Sequence, residues 1–216
     1  MNLQNELNAV RDAVSQKAPS HVVTTIQATT QRLKDSGLAM KALQPGQSIM
    51  DFELPDATGK IVNSADLRQS GPLLILFYRG VWCPFCNLTV RAYQERLPAF
   101  LQRGVTLMAI SPQTPDKSLT LQQKHDLKFP VLSDSGNKVA RQFGIVFQLD
   151  SALKKVQERF GVDIAAYNGD DRFELPIPAT FLVSKNGKVV RSYVEADYMK
   201  RLAPETAIEW IDEFLQ

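Results

Sequence analysis

Residues 73–78 form a near-continuous apolar run, LLILFY, which constrains the fold more than any other feature of the sequence. A run of this kind, without polar alternation, is typical of a strand that is buried on both faces in a parallel sheet. A second such run, VTLMAI, occupies residues 105–110. Parallel strands are joined by long crossovers, usually helices. The two runs therefore predict an α/β fold in which a central mixed sheet with a parallel centre is flanked by helices on both faces.

The remaining elements follow from hydrophobic spacing and turn residues. Further strands are predicted as a pair within residues 51–62 and over residues 129–132, 180–183 and 188–194. Helices are predicted over residues 87–102, with an end or kink at Pro98, and over residues 115–126, 137–142, 152–160 and 204–215. Residues 185–187 read KNG, which is an Asn-Gly hairpin signal. The polar segment 161–174 is predicted to be irregular.

The chain is predicted to have two parts. Residues 1–44 are expected to be an N-terminal helical extension, because apolar residues recur there at helical spacing over two stretches, residues 3–14 and 22–35. A turn with the sequence PG follows at residues 45–46. Residues 45–216 then form the α/β domain.

The composition argues against several classes of protein. With 216 residues, of which 44% are hydrophobic and 22% charged, the chain has an ordinary globular composition. A formal net charge of +2 without a basic face gives no reason to expect a nucleic-acid partner. No apolar stretch is long enough to span a bilayer, and the N-terminus shows no secretory signal. A cytoplasmic protein without a membrane partner is therefore expected.

The only two cysteines, Cys83 and Cys86, lie where the first apolar strand gives way to a helix. Unpaired amide groups at a helix N-terminus stabilise a thiolate, and Pro84 suits the first helical turn. A redox-active pair is the favoured interpretation. Two others stay open: a zinc site completed by His21 and His125, and a pair of buried, inert cysteines.

Two further residues are candidates for the same site. Trp82 directly precedes Cys83 and is expected to shield the thiols while leaving them reachable. Pro178 precedes a predicted strand, and a cis peptide bond there would bring it close to the thiols. Alternatively, Pro178 only ends a loop before that strand.

Residues 77–87 have the sequence FYRGVWCPFCN. This segment resembles the active-site segment of the alkyl hydroperoxide reductase/thiol-specific antioxidant (AhpC/TSA) family, in its peroxiredoxin-like branch. That family belongs to the thioredoxin-like superfamily. Other segments resemble further parts of that family: DFELPD (51–56), LSD (132–134), ARQFGI (140–145), PATFLV (178–183), NGKV (186–189) and the region 197–204. The resemblance covers residues 45–216 well. It implies a thioredoxin-like fold.

The resemblance breaks down at the reactive centre. Family members carry a Pro-x-x-x-Thr-x-x-Cys motif, in which the final cysteine attacks the peroxide. Here Cys86 takes that peroxidatic position, Cys83 replaces the threonine and Arg79 replaces the proline. The family's downstream arginine, which helps to orient the peroxide, is missing near residues 177–178. By analogy with thioredoxins, Cys83 would attack and Cys86 would resolve, so the sequence leaves both orders open.

Arg79 has two competing interpretations. Its guanidinium would lower a thiol pKa and hold a peroxide oxygen in place of the missing arginine. Alternatively, it is a solvent-facing charge at the end of a strand.

The resemblance implies a thiol-dependent peroxidase without a bound cofactor. A hydroperoxide would oxidise one cysteine to a sulfenic acid, and the other would condense with it to form a Cys83–Cys86 disulfide. Thioredoxin or a glutathione-type reductant would then restore the pair. Two alternatives are a thioredoxin-like protein-disulfide oxidoreductase and a non-catalytic redox-sensing module. A second copy of the chain, in a homodimer, is a further candidate partner.

Overall fold

The computed structural model describes residues 2–216. Its helices are α1 (Leu3–Lys17), α2 (Ser20–Asp35), α3 (Leu38–Lys41), α4 (Ser64–Ser70), α5 (Pro84–Glu95), α6 (Leu97–Gln102), α7 (Pro115–Lys124), α8 (Lys138–Gln142), α9 (Ser151–Arg159), α10 (Ile164–Asn168) and α11 (Pro204–Leu215). Its strands are β1 (Glu53–Pro55), β2 (Ile61–Asn63), β3 (Leu73–Phe77), β4 (Thr106–Ser111), β5 (Val131–Ser133), β6 (Val146–Gln148), β7 (Glu174–Pro176), β8 (Ala179–Val183) and β9 (Val189–Val194).

Five strands form the central sheet, in the order β5-β4-β3-β8-β9. β3 pairs in parallel with β4, and β4 pairs in parallel with β5. The hairpin of β8 and β9 adds antiparallel to the other edge of β3. This mixed sheet with parallel β3, β4 and β5 confirms the architecture predicted from the two apolar runs.

Strand β3 is buried along its whole length because its side chains pack alternately into two hydrophobic layers, one on each face of the sheet. Leu74 and Leu76 pack on one face with Tyr93 and Phe100, which belong to α5 and α6. Its other three residues pack on the opposite face with residues of α8 and of the segment that follows it: Leu73, Ile75, Phe77, Val139, Ala140 and Phe143. The alternation of side chains along a strand thus explains why an unbroken apolar run was required.

Prolines set several helix boundaries. Pro84, Pro115 and Pro204 lie in the first turns of α5, α7 and α11, where a missing N–H costs nothing. Pro98 confirms the predicted interruption, since α5 ends at Glu95 and α6 begins at Leu97.

The segment 161–174, predicted to be irregular, contains the short helix α10. The Asp163 carboxylate caps this helix by accepting a hydrogen bond from the Ala166 N–H at 2.9 Å. The antiparallel pair of β6 and β7 was not predicted either. Elements of three to five residues are too short to show a hydrophobic period, so tertiary contacts decide them.

The N-terminal helices pack on the rest of the chain. Leu3 and Leu7 of α1 join the hydrophobic layer beside α5, and Glu6 forms an ion pair with Arg91 of α5 at 2.5 Å. Helix α2 packs on α9, where Val22 and Ile26 are buried in a separate hydrophobic cluster. The division of the chain at residue 45 into an extension and a domain stays a prediction.

No helix within residues 2–216 combines the length and the hydropathy that crossing a membrane requires.

Candidate active site

The two cysteines lie at the junction of β3 and α5, as the sequence predicted. Cys83 is the N-cap residue of α5, and Cys86 lies one turn further along the helix. The Cys83 N–H donates to the Gly80 carbonyl at 3.1 Å, and the Asn87 side-chain amide donates to the Val81 carbonyl at 2.8 Å. These two bonds fix the turn that connects the strand to the helix.

Gly80 gives this turn a conformation that other residues rarely adopt. Its φ is +153°, and a Cβ at this position would lie 2.7 Å from Oε1 of the buried Gln113. The same Gln113 oxygen accepts a hydrogen bond from the Val81 N–H. The turn is therefore packed closely against the loop that follows β4, which holds both cysteines in a defined place.

Both cysteines are free thiols and both are buried, with 2% of Cys83 and 0% of Cys86 exposed. Burial alone would raise both pKa values, because it penalises the charged form. The surroundings of the two sulfur atoms nevertheless differ.

The sulfur of Cys86 lies among hydrogen-bond donors. The Arg79 backbone N–H and Nη2 of Arg201 each donate to Cys86 Sγ at 3.5 Å. Burial opposes ionisation, but the hydrogen bond from the Cys83 thiol and the charge of Arg201, aided by Arg79, hold the pKa of Cys86 well below its ordinary value. Cys86 is therefore the thiolate of the pair.

The pKa of Cys83 is shifted in the opposite direction. Burial raises it, and the hydrogen bond with Cys86 and the negative charge on that sulfur raise it further, against the smaller lowering effect of Arg79 and Arg201. Cys83 therefore ionises less readily than Cys86, and the two titrations are coupled.

Arg79 is only 2% exposed, so the interpretation as a solvent-facing charge is wrong. Its guanidinium carbon lies 4.8 Å from the ring centroid of Trp82 and 4.2 Å from that of Tyr198. Within residues 2–216, its Nε has no hydrogen-bond acceptor. The flat guanidinium is stacked between two aromatic faces, an arrangement that the weak hydration of arginine favours.

Sequence reasoning did not identify Arg201 as a site residue. It lies in the segment between β9 and α11, and its Nη1 donates to the Tyr198 carbonyl, which holds the side chain towards Cys86. Its separation from Cys86 by 115 positions leaves no local signal in the sequence. The family's downstream arginine is missing near residues 177–178, but Arg201, from a different segment, brings a positive charge to Cys86.

Pro178 lies near the site, but its predicted cis peptide bond is wrong: the peptide bonds within residues 2–216 are all trans. The chain runs from β7 through Ile177 and Pro178 directly into β8, and no tight turn is needed there. Trans is the more stable form of an X–Pro bond in the absence of such a demand. Pro178 still lines one small cavity together with Arg79 and Tyr198, and another together with Arg201.

A cavity of about 240 Å³ opens beside Cys83. Its walls come from four parts of the chain. The strand–helix turn and the start of α5 contribute Arg79, Trp82, Cys83, Pro84 and Phe85, and the segment before α11 contributes Tyr198. The end of α9 and the residues after it contribute Gln157, Phe160 and Val162, and the N-terminal helices contribute Val14 and Ile26. Trp82 lies in its wall and is partly buried. The shielding role stays a prediction. Cys86 lies behind Cys83 and does not line the cavity.

Within residues 2–216, no group of three or more His, Cys, Asp or Glu side chains is placed to hold a metal ion. His21 faces Arg159, with His21 Nε2 and Arg159 Nη1 3.3 Å apart.

Comparison with known proteins places these observations in a family. The model of the AhpC/TSA family matches residues 45–192. A provisionally named peroxiredoxin of Mycobacterium tuberculosis, Rv2521, is 31% identical over 148 residues, which are 68% of this chain and 83% of that protein. Peroxiredoxin Bcp of Escherichia coli is 27% identical over 174 residues, which are 81% of this chain and 99% of that protein.

Another relative is named for a different thiol reaction, disulfide exchange. The thiol-disulfide oxidoreductase ResA of Bacillus anthracis is 24% identical over 170 residues, covering 75% of this chain and 80% of that protein. Among solved structures, peroxidoxin BcpB from Mycobacterium tuberculosis superimposes with a TM-score of 0.63 at 21% identity, covering 79% of this chain and 97% of that chain. This similarity confirms the thioredoxin-like fold.

Proposed function

Because the chain belongs to the AhpC/TSA family, we propose that it is a thiol peroxidase in which Cys86 and Cys83 form the redox pair that reduces hydroperoxides. The peroxiredoxin relatives support thiol-dependent peroxidase activity in general. The assignment of the two cysteines rests on the geometry around each sulfur.

In the first step, the Cys86 thiolate attacks the terminal oxygen of the hydroperoxide. The O–O bond breaks, the sulfur is oxidised to a sulfenic acid, and the alkoxide that leaves takes a proton to become an alcohol. The Cys83 thiol, which is three residues away and has a raised pKa, supplies this proton. Arg201 and the Arg79 N–H hold the reacting sulfur. Because Cys86 is fully buried, its sulfur has to become accessible before it meets the peroxide.

In the second step, the Cys83 sulfur attacks the Cys86 sulfenic acid. A disulfide forms and hydroxide leaves, which a solvent proton converts to water. The sum is two thiols and one hydroperoxide giving one disulfide, one alcohol and one water. An external dithiol such as thioredoxin, or a glutathione-type thiol, then reduces the disulfide by thiol–disulfide exchange. It would reach Cys83 first, since Cys83 lines the cavity.

One observation carries this proposal: the sulfur at the peroxidatic position, Cys86 Sγ, is the one that accepts hydrogen bonds from the Arg79 N–H and from Arg201 Nη2, each at 3.5 Å. The pKa of Cys86 is lowered accordingly, because these donors and the nearby positive charge outweigh burial. A thiolate, not a thiol, is the nucleophile in peroxide reduction. The threonine and arginine of the family motif are thereby replaced in function by Cys83 and by the pair Arg201 and Arg79.

A second candidate function is that of a protein-disulfide oxidoreductase. Cys83 is the cysteine that lines the cavity, while Cys86 is fully buried, which is the arrangement expected if Cys83 meets a disulfide substrate. The ResA relatives share this class of chemistry by name. A cytoplasmic location and a homodimer stay predictions.

Stopped-flow oxidation of the wild type, Cys83→Ser and Cys86→Ser tests the proposal. We expect wild type and Cys83→Ser to consume one equivalent of hydrogen peroxide rapidly, and Cys86→Ser to react no faster than a free thiol in buffer. Insulin-disulfide reduction is measured on the same samples. Rapid insulin reduction together with slow peroxide oxidation of the wild type would favour the oxidoreductase.

A further inference from the structure

The loop that follows β4 reaches the reactive turn because of the order of the strands. β3 and β4 are parallel neighbours, so their carboxyl ends lie at the same edge of the sheet. The turn 78–83 leaves one strand at this edge, and residues 112–114 leave the other. The Tyr78 N–H donates to the Ile110 carbonyl at 3.0 Å, which continues the pairing up to the edge. The topology of the sheet therefore places Gln113 beside the turn.

The backbone around Gln113 is fixed by hydrogen bonds. The Gln113 N–H donates to Ser111 Oγ at 3.4 Å, and the Thr114 N–H donates to the Tyr167 carbonyl at 3.1 Å. Gln113 itself is fully buried. A side chain with a fixed backbone and close-packed surroundings has few alternative positions, so its contacts with the turn are well defined.

Only one half of the Gln113 carboxamide is paired. Oε1 accepts a hydrogen bond from the Val81 N–H, whereas Nε2 has no acceptor within residues 2–216. A buried donor without an acceptor is destabilising, and an apolar side chain of similar size would fill the same space without that cost. Packing alone therefore does not explain a glutamine at this position. The paired oxygen is what the glutamine contributes.

The bond to Val81 fixes the backbone that contacts Cys86. The Arg79 N–H donates to Cys86 Sγ at 3.5 Å, and only Gly80 separates Arg79 from Val81. Glycine has more backbone freedom than any other residue, so the peptide units on either side of Gly80 turn easily unless a further contact holds them. The Gln113 oxygen provides that contact. The direction of the Arg79 N–H thus depends on a side chain from another strand.

We propose that Gln113 is a positioning residue of the redox pair: its side-chain oxygen fixes the turn so that the Arg79 N–H is aimed at Cys86 Sγ. Gln113 acts through the backbone of residues 79–81 and takes no part in the chemical step. Without this bond, the turn relaxes and the sulfur loses a donor that stabilises its charged form. This inference rests on the proposed function, in which Cys86 is the nucleophile.

The variant Gln113→Met tests this role, because methionine is unbranched like glutamine and lacks the carbonyl oxygen. The variant and its parent both carry Cys83→Ser, so that Cys86 is the only thiol. The ultraviolet absorbance of the thiolate is followed against pH. We expect the midpoint of thiolate formation to rise by about one pH unit, since a hydrogen bond to a charged group has a net effect of this size. At a pH below both midpoints, oxidation by hydrogen peroxide should slow about ten-fold, in proportion to the thiolate that remains.

Ser64→Ala, in the same Cys83→Ser background, is the matched control. Ser64 is also fully buried, and its Oγ accepts a backbone N–H, that of Phe52, at 2.9 Å. Phe52 packs in the hydrophobic layer on the other face of the sheet from the two cysteines. Both changes delete a buried acceptor, so both should lower the urea midpoint of unfolding, but only Gln113→Met should move the thiolate midpoint. An unmoved thiolate midpoint in Gln113→Met, or an equal shift in Ser64→Ala, would overturn the inference.

A second measurement uses the wild type and needs no substitution. If Gln113 accepts the Val81 N–H, this amide exchanges its hydrogen slowly, at a rate set by opening of the fold. Exchange of the Val81 amide as fast as that of an unprotected amide would overturn the inference. Neither hydrogen exchange nor the thiolate titration requires peroxide turnover. A shifted thiolate midpoint in a protein whose wild type consumes peroxide slowly would therefore support the role of Gln113 and contradict only the proposed function.

Discussion

Cys83 and Cys86 are three residues apart, yet they lie in two different surroundings. On the Cys86 side, the sulfur accepts hydrogen bonds from the Arg79 N–H and from Arg201, and its exposed fraction is 0%. On the Cys83 side, the residue lines a mostly apolar cavity whose walls include Val14 and Ile26 of the N-terminal helices. One side is built to stabilise negative charge and the other to admit a molecule.

The comparison shows that ionisation and access are separate properties. In many reactive cysteines a single sulfur is both accessible and ionised, because an electropositive, partly exposed site gives both. Here the lowered pKa belongs to Cys86, while the cavity reaches Cys83. The two thiols are coupled, because ionisation of Cys86 opposes ionisation of Cys83.

The largest expected effect comes from removing the charge on the Cys86 side. Arg201→Met deletes the side-chain donor to Cys86 Sγ, so the pKa of Cys86 should rise and the first oxidation step should slow by about a hundred-fold, the loss typical of a deleted charge-stabilising donor. Arg191→Met is the control, since Arg191 is half-exposed and pairs with Glu213 at 3.2 Å on a different surface. Stopped-flow peroxide oxidation measures both. Equal rates in the two variants would show that Arg201 does not activate Cys86.

A smaller effect is expected for the arginine that borders both surroundings. Arg79→Met removes the stacked guanidinium but keeps the backbone N–H that donates to Cys86, so the first step should slow only about ten-fold, less than for a lost direct donor. Arg79→Lys keeps the charge and should recover part of the loss. If Arg79→Met were slower than Arg201→Met, Arg79 would be the main activating residue.

The pH dependence should be weak in the neutral range. Because the pKa of Cys86 is lowered, the rate of the first oxidation step should reach its plateau at lower pH than that of a free cysteine, and we expect it to change less than about two-fold between pH 7 and 8.5. The rate should fall only when the pH drops through the lowered pKa, where the thiolate gains its proton. The measurement is a stopped-flow pH series on Cys83→Ser and wild type. A rate that climbs roughly ten-fold per pH unit above pH 7 would contradict a stabilised thiolate in the wild type.

The pH series also tests the role of Cys83. Its thiol donates to Cys86 and helps to lower the pKa of that thiol, so the rate profile of Cys83→Ser should not lie at lower pH than that of the wild type. A serine hydroxyl can replace the donated hydrogen bond. A profile shifted to lower pH would show that Cys83 opposes ionisation of Cys86.

The smallest expected effect is on the attachment of α1 beside the cavity. Glu6→Gln breaks the ion pair with Arg91. Because the Arg91 side chain is 40% exposed, we expect the free energy of unfolding to decrease by only about 0.2–1 kcal/mol. Asp12→Asn is the control, since the pair of Arg11 and Asp12 is exposed and joins neighbours within α1. Urea denaturation measures both. A loss in Asp12→Asn as large as that in Glu6→Gln would show that the contact between α1 and α5 adds nothing.

The sequence predicted most of the central sheet and the position of the thiols. The unbroken apolar runs identified β3 and β4 because strands that are buried on both faces have no polar alternation. Pro98 identified the break between α5 and α6. Helix α10 and the pair of β6 and β7 were missed, since elements this short carry no period of their own.

The electrostatics of the site were less predictable. Arg79 was considered as a site residue, but whether it was buried or solvent-facing stayed open, because the end of a strand can be either. The cis peptide bond considered for Pro178 is absent, whereas its role at the site stays a prediction. Arg201 was recognised only within a segment that resembles the family.

The sequence by itself determined that two thiols stand at a strand–helix junction, because that follows from local patterns over about fifteen residues. Only the tertiary structure decided which thiol is ionised and which faces a cavity. The pKa of Cys86 depends on a guanidinium 115 positions away, and the cavity beside Cys83 depends on α1 and α2, which begin at residues 3 and 20. The pKa of a thiol and its access to a cavity depend on which groups lie near it in space. The spacing of residues along the chain does not show which groups these are.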